Sequence, residues 1–396
     1  MAPYPALFMT LSLRTQSNTP SAARQSRTLW EDIFRDPAEF LDLYFSRVYS
    51  PQESVLITDA GAQHAIARCD LPPYRWQLPL AKPGGKRPVH LQAGYISGLA
   101  TDTRHRGRGL AHRVMHRAHH KMLLRGDTFA FLLPAQKDLY HFYSEQFGYS
   151  AVVRRIPDIR FETRLLPPAL RRELEAAVLQ AQSAQPLPRY YRCFAQTEAA
   201  LGAHFQFPRH NFKQWQTLVQ DLYLAGGCIA RFREADLYLQ PAAQGALRIR
   251  FIAPREARPQ TVLREQEALI KLLARAPICT GCHGRQSAQP VIEEAWGMLR
   301  IINLHRFLEV YAGVLGLPCA FAVQEPERAG EYSLAIRTDK YRCGAKSAPD
   351  YLPQCSSWHL ARRTGTPPKG LKVYTYPALQ QRLLQRLPAL MYLLLE

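Results

Sequence analysis

The run DTRHRGRG at residues 102–109 has the residue types that hold a phosphate. Gly107 and Gly109 let backbone N–H groups turn inward and approach an anion closely. A helix beginning directly after them would add its unpaired N-terminal N–H groups and the positive end of its dipole. Arg104, Arg106 and Arg108 can add charge-assisted bonds to the same anion. Glycine spacing alone is a weak signal. It gains weight here from an apolar strand before the loop, an amphipathic helix after it and another apolar strand beyond. A dinucleotide fingerprint needs GxGxxG and a Walker loop needs GxxxxGK followed by Ser or Thr, and neither string occurs.

Three further groupings are weaker. Cys279, Cys282 and His283 spell the CxxCH string of haem attachment, which requires an exported chain and a distal axial ligand. A single CxxC also lacks the second pair of a structural zinc site. His112, His116 and His120 recur every fourth residue without a neighbouring carboxylate, and read as a solvated helix face. The segment from Lys82 to Lys86 reads as a hairpin tip, since no helix follows it. No metal is expected.

The elements that must position the glycine loop follow from periodicity. Residues 1–28, rich in Ser, Thr, Gln and Arg, read as a loosely ordered lead-in, and helical periodicity starts at Leu29. Strand-like runs at 54–60, 65–72, 74–81 and 89–101, separated by turn residues, suggest an antiparallel meander. After the loop, Leu110, Val114, Ala118 and Met122 form one apolar stripe of a helix at 110–126. The continuous apolar run TFAFLLP (128–134) fits a buried strand, and DLYHFYSEQ (138–146) a short aromatic helix. Prolines around Leu166 and the polar run at 180–188 place a boundary near 155–165. Residues 160–290 mix helix and strand without a second glycine loop. From about Pro290 the pattern changes again: a helix at 304–316, strands at 319–325 and 331–338, and a final helix over ALQQRLLQRLPALMYLLLE.

Composition narrows the functional classes. A chain of 396 residues suggests two or three domains, and 47% hydrophobic with 21% charged residues is a globular balance. The longest apolar run, in ALMYLLLE, is far short of the roughly 20 residues that span a bilayer. The opening twenty residues lack a basic n-region, and Arg14 interrupts their apolar stretch, so no signal peptide is expected. Eight scattered cysteines then read as reduced thiols in a cytoplasmic protein. The formal charge of +19 makes nucleic acid, a membrane surface or an anionic co-substrate plausible partners. Against nucleic acid stands the absence of an RNA-recognition motif, a zinc-finger pattern or a basic low-complexity tail.

LATDTRHRGRGLAHRVM resembles motif A of the GNAT acyl-CoA N-acyltransferases, whose pattern is Q/R-x-x-G-x-G/A, and FLLPAQKDLYHFYSEQFGY is similar to the strand, helix and aromatic ending that follow it in that family. The resemblance implies acetyl-CoA as co-substrate. Its pantetheine arm would lie along the backbone of Leu99, Ala100 and Thr101, and its pyrophosphate on the loop that begins at Arg104 and on the amides of His105, Arg106, Gly107, Arg108, Gly109 and Leu110. The length and the later run WGMLRIINLHRFLEVYA resemble the enhanced intracellular survival (Eis) family. That implies a mixed α+β fold: a catalytic GNAT domain over 29–158, a degenerate GNAT-like domain over 159–290 and a sterol-carrier-like α/β domain over 291–396. It also implies a Tyr general acid, Tyr143 with Tyr140 as alternative, and the terminal main-chain carboxylate, that of Glu396, as general base. Tyr143 precedes Gly148 by five residues, where the family has four. The expected activity is acetyl transfer to a primary amine of a small molecule or peptide, such as an aminoglycoside or polyamine. The chain could be monomeric or a homo-oligomer. The competing expectation is a GNAT shell that binds nucleic acid through its basic surface.

Overall fold

A computed structural model describes residues 20–59, 64–81, 88–155, 159–182, 188–202, 205–273, 295–311, 320–324, 331–337, 358–364, 372–375, 379–380, 384 and 389–391. The CxxCH string and Lys82–Lys86 lie outside these residues, as do most of residues 1–28. The end of that lead-in is helical nonetheless: α1 spans Pro20–Phe34. Proline at the first helical position is pre-set for helix, and Ala22, Ser26 and Leu29 bury one face at helical spacing. The small residues on that face hide its periodicity in the sequence.

Helix α2 (Ala38–Arg47) follows Pro37, and β1 (Ser54–Thr58) pairs antiparallel with β2 (Ala65–Asp70). Strand β3 (Pro73–Ala81) forms an antiparallel pair with β4 (Pro88–Tyr95), and β5 (Ser97–Thr101) follows directly. The meander read from sequence breaks at Ile96. Strand β4 runs parallel to β6 (Phe129–Leu132), whereas β5 turns away to pair antiparallel with β2. Between β5 and β6 lies α3 (Leu110–Arg125), and after β6 come α4 (Asp138–Phe147) and β7 (Ser150–Arg155).

The second segment contains β8 (Ile159–Glu162), α5 (Pro168–Gln182), α6 (Pro188–Leu201), β9 (Phe207–Arg209), α7 (Phe212–Leu224), β10 (Cys228–Phe232), β11 (Ala235–Pro241), β12 (Ala246–Pro254) and α8 (Val262–Leu273). After it come β13 (Ala295–Ile301), α9 (Leu304–Tyr311), β14 (Ala320–Gln324), β15 (Glu331–Arg337), β16 (Trp358–Thr364), β17 (Lys372–Thr375) and β18 (Ala389–Met391). The described residues form four sheets: the first, large sheet in the order β18-β7-β13-β6-β4-β3-β9, and three others in the orders β1-β2-β5, β10-β11-β12-β8 and β16-β15-β14-β17.

Two connections depart from a boundary-by-boundary reading. Strand β13, placed in the third segment by the sequence, inserts between β6 and β7 and pairs antiparallel with both. Strand β9 likewise extends the first sheet by pairing with β3. The tail, expected to be helical to its end, is a strand at Ala389–Met391, parallel to β7. Pro388 cannot continue a helix there, and the β7 edge offers an unpaired ladder. No helix among the described residues is long and apolar enough to cross a membrane.

The core is layered around the first sheets. Trp76, Phe129, Phe131, Leu299 and Phe307 pack on one face of the large sheet. On the other, Val114, Met115, Ala118 and Met122 of α3 meet Ile57, Cys69, Ala130 and Met298. The predicted stripe of α3 is thus buried.

Candidate active site

The divergence of β5 from β6 begins at a specific place. Ile96 donates its N–H to the Phe131 carbonyl at 2.8 Å, the last backbone bond from this stretch to β6 among the described residues. Gly98 then takes a positive φ of 57°. Trp30 of α1 lies so close beneath it that a Cβ would fall 2.3 Å from the indole ring, so only glycine fits. Beyond this point β5 keeps β2 on one side. Asp102 donates to Ile66 at 2.9 Å, and Ala100 sits opposite Arg68. Backbone groups alternate along a strand. Leu99 and Thr101 therefore turn their N–H and carbonyl groups into the gap, whereas Ala100 turns its own toward β2.

The loop after β5 is built on Asp102. Its carboxylate accepts from the Arg104 N–H at 2.8 Å and from the Arg104 guanidinium at 3.2 and 2.9 Å, and lies 3.2 Å from His105 Nδ1. The bonds from Arg104 hold the Asp102 carboxyl well below the usual carboxylate range. Arg104 is thus engaged with Asp102, and of the three loop arginines Arg106 and Arg108 stand clear of an ion pair among the described residues. Arg106 Nε approaches the Thr101 carbonyl at 3.5 Å. Gly107 and Gly109 have φ of 74° and 70°, with open space where a side chain would begin. No described backbone bond uses the N–H of Gly107, Arg108 or Gly109. Gly109 is the N-cap of α3, and Leu110, its first residue, is buried. The loop presents free N–H groups, a helix N-terminus and two exposed cations beside the open edge of β5.

Helix α4 carries both candidate acids. Tyr140 donates its hydroxyl to the Trp296 carbonyl at 2.6 Å, which ties α4 to β13. Tyr143 packs its ring, 8% exposed, among Phe142, Phe147 and Tyr149. Its hydroxyl has no hydrogen-bond partner among the described residues. Burial pushes its phenol pKa up and keeps it protonated. The helix ends at Gly148 with φ 64°.

Glu396 lies outside the described residues, but the segment leading to it is anchored. Gln380, buried, donates to the Gly148 carbonyl at 2.7 Å and Ser150 Oγ at 2.8 Å, and accepts from the Ile301 N–H at 2.8 Å. Leu379 and Leu384 join the core of the first sheet.

Of the residues set aside, His112, His116 and His120 are exposed, and His112 packs on Phe147. No cluster of three or more metal-ligating side chains occurs among the described residues. His119, on the same helix, is different. It is buried, its Nε2 lies 2.9 Å from the Tyr149 hydroxyl and its Nδ1 accepts from Arg300 at 3.3 Å. Burial and the Arg300 charge push its pKa well down, so the ring is neutral. Sequence reasoning missed Trp30, His119, Arg300 and Gln380. A lone Gly inside YISGLAT and a lone Arg inside WGMLRII were the available signals, of close backbone approach and of a partnered buried charge.

Residues 15–152 match the family model described as an acetyltransferase (GNAT) domain. No curated protein matches the sequence. Three solved structures are similar along most of their length. A GCN5-related N-acetyltransferase from Kribbella flavida is 12% identical with a TM-score of 0.53, covering 93% of this chain and 88% of that one. A GCN5-related N-acetyltransferase from Anabaena variabilis is 13% identical with a TM-score of 0.55, covering 94% and 92%. Eis1 from Mycobacterium abscessus is 14% identical with a TM-score of 0.54, covering 94% and 89%. At these identities the likeness is one of fold. Residues 15–152 thus match an acetyltransferase (GNAT) domain model, within a larger fold similar to that of these proteins.

Proposed function

We propose that the protein transfers acetyl from acetyl-CoA to a primary amine of a small molecule or peptide. The observation that carries this reading is the opening between β5 and β6, which leads into a loop with unused N–H groups at the start of α3. The Leu99 and Thr101 backbone groups would pair with the amides of the pantetheine arm. Of the loop from His105 to Leu110, the amides from Gly107 onward would take the pyrophosphate, because those of His105 and Arg106 donate to the Asp102 and Thr103 carbonyls, and Arg106 and Arg108 would serve as counter-charges. Arg104 would join them only by leaving Asp102.

The neutral amine attacks the thioester carbonyl, the N–C bond forms and the C–S bond breaks. The attacking nitrogen gives up a proton to a base, and the departing sulfur takes one from an acid. Tyr143 fits the acid better than Tyr140, whose hydroxyl is committed to Trp296. Asp102 is unsuited as the base because the bonds from Arg104 depress its pKa, making it a poor proton acceptor, and occupy its oxygens. The carboxylate of Glu396 remains the proposed base, and strand geometry supports it. Strand β18 runs in the same direction as β6, toward the end where β5 parts from it. Three strand spacings separate β18 from β6, about 14 Å, and the five residues after Met391 can extend to about 17 Å.

The second segment fits a degenerate GNAT unit: its strand-loop-helix passage from β12 to α8 has Pro259 and no glycine in the loop. A sterol-carrier-like role for the β14–β17 sheet rests on the Eis resemblance. A thiol-release assay with acetyl-CoA against aminoglycosides, polyamines and peptides tests the proposal. Amine-dependent release supports it, and binding of CoA without release for any amine class overturns it in favour of a binding shell.

A further inference from the structure

Strand β13 reaches the first sheet only after the chain has passed through the second segment, and it grips α4 at two points. Toward the N-terminal half, the Trp296 carbonyl accepts the Tyr140 hydroxyl at 2.6 Å. At the C-terminal end, Arg300 Nη1 donates to the Phe147 carbonyl at 2.6 Å. Phe147 is the last residue of α4, so this carbonyl has no partner within the helix, and a cation there also suits the negative end of the helix dipole. The same Nη1 reaches His119 Nδ1 at 3.3 Å, and His119 Nε2–H points to the Tyr149 hydroxyl at 2.9 Å. Because Arg300 can only donate, Nδ1 must accept, so the proton sits on Nε2 and the Tyr149 hydroxyl accepts it. Tyr143 lies between the two grips, its ring centroid 6.1 Å from that of Tyr149 and 6.3 Å from that of Phe147.

A buried arginine is expensive to desolvate, and an apolar residue would pack a sheet interior at least as well. Arg300 is only 8% exposed and sits in an otherwise apolar strand. Its bonds to described residues converge on the last turn of α4 and on the histidine that fixes Tyr149, and none of these touches β5 or the glycine loop.

We infer that Arg300 is a positioning residue. By clamping the Phe147 carbonyl and ordering His119 and Tyr149, it sets the placement of the Tyr143 hydroxyl at the acceptor end of the site, without contributing to CoA binding. It follows that the second segment completes the acetyl-transfer site indirectly, by returning the strand that carries Arg300. The inference rests on the acetyltransferase reading above and adds a residue to it.

The test uses the full chain with Arg300→Met and Arg300→Lys. For Arg300→Met the expected result is a CoA dissociation constant within threefold of wild type by calorimetry. Its kcat should fall at least tenfold, and amide exchange across residues 138–149 should speed up while residues 97–112 stay unchanged. Arg300→Lys, which keeps a cation at the helix end, should recover part of kcat. A folded Arg300→Met with kcat within twofold of wild type overturns the inference. So does a loss of CoA affinity as large as the loss of kcat, which would mean general damage. If Met at this position prevents folding, His119→Phe cuts only the link to Tyr149 and must show the same split, and unchanged kcat there overturns the inference equally. Should wild-type protein release no thiol with any amine, the acetyltransferase reading fails on its own, and the exchange measurement still decides whether Arg300 holds α4.

Discussion

Replacing Gly107 isolates the contribution of the loop backbone. With φ of 74° and nothing within 4 Å of an added Cβ, Gly107→Ala introduces no clash inside the protein. The penalty is conformational: a left-handed position costs an L-residue roughly 1–2 kcal/mol. The free loop can relax away from that strain, so the strain reappears when a phosphate forces the N–H groups inward. CoA affinity should then fall about 5- to 30-fold, and Gly107→Val, stiffer at this φ, should lose at least tenfold, ~1.4 kcal/mol or more. Gly245 provides a matched control, because its φ is also 74° and its surroundings are equally open, but it lies in a turn of the second segment. Gly245→Ala carries the same strain and should leave CoA affinity unchanged. Calorimetric titration of CoA into the three variants and wild type reads all four values. Unchanged affinity in both Gly107 variants, or equal loss in Gly107→Ala and Gly245→Ala, would refute the reasoning.

Tyr143→Phe should lower kcat by on the order of 10² or more with CoA affinity intact, the scale for losing a general acid. Tyr140→Phe should instead lower the melting temperature by removing the bond to the Trp296 carbonyl, a loss of about 1 kcal/mol. Asp102 has a folded-state pKa below its unfolded value, so its contribution to stability is complete above about pH 4–5 and drains away as pH falls through the depressed value. The stability gap between wild type and Asp102→Asn should therefore be widest near neutrality and close in acid, as read by denaturant melts across pH. Gln380→Ala leaves the Ile301 N–H and the Gly148 carbonyl without their partner and should cost about 2 kcal/mol or more, with a parallel drop in melting temperature. Extending the chain beyond Glu396 with a short polar tail should cut kcat by on the order of 10², with folding confirmed by circular dichroism.

The glycine loop and the helix behind it were legible because their signals are local. Strand, glycines and a four-residue apolar stripe sit within thirty residues, and Leu110, Val114, Ala118 and Met122 are all buried as that stripe requires. Pairing partners were not legible. The residues of β13 read as an apolar strand whichever sheet receives them, and nothing in AWGMLRI says that β6 and β7 leave a slot. The tail failed for a related reason, since an apolar run such as ALMYLLLE suits a strand or a helix until a neighbour is known. The place of Arg104 in the loop suggests a phosphate ligand, while its pairing with Asp102, two residues earlier, shows only in three dimensions. Ala100 was grouped with Leu99 and Thr101, and strand alternation divides them.

Hydrogen exchange of the full chain, with and without saturating acetyl-CoA, tests the central claim most directly, because it locates the co-substrate without needing the acceptor amine. The expected result is slowed exchange confined to residues 97–112 and the end of β6, with the passage from β12 to α8 unaffected. Protection absent from 97–112, or appearing in the second segment instead, would contradict the account.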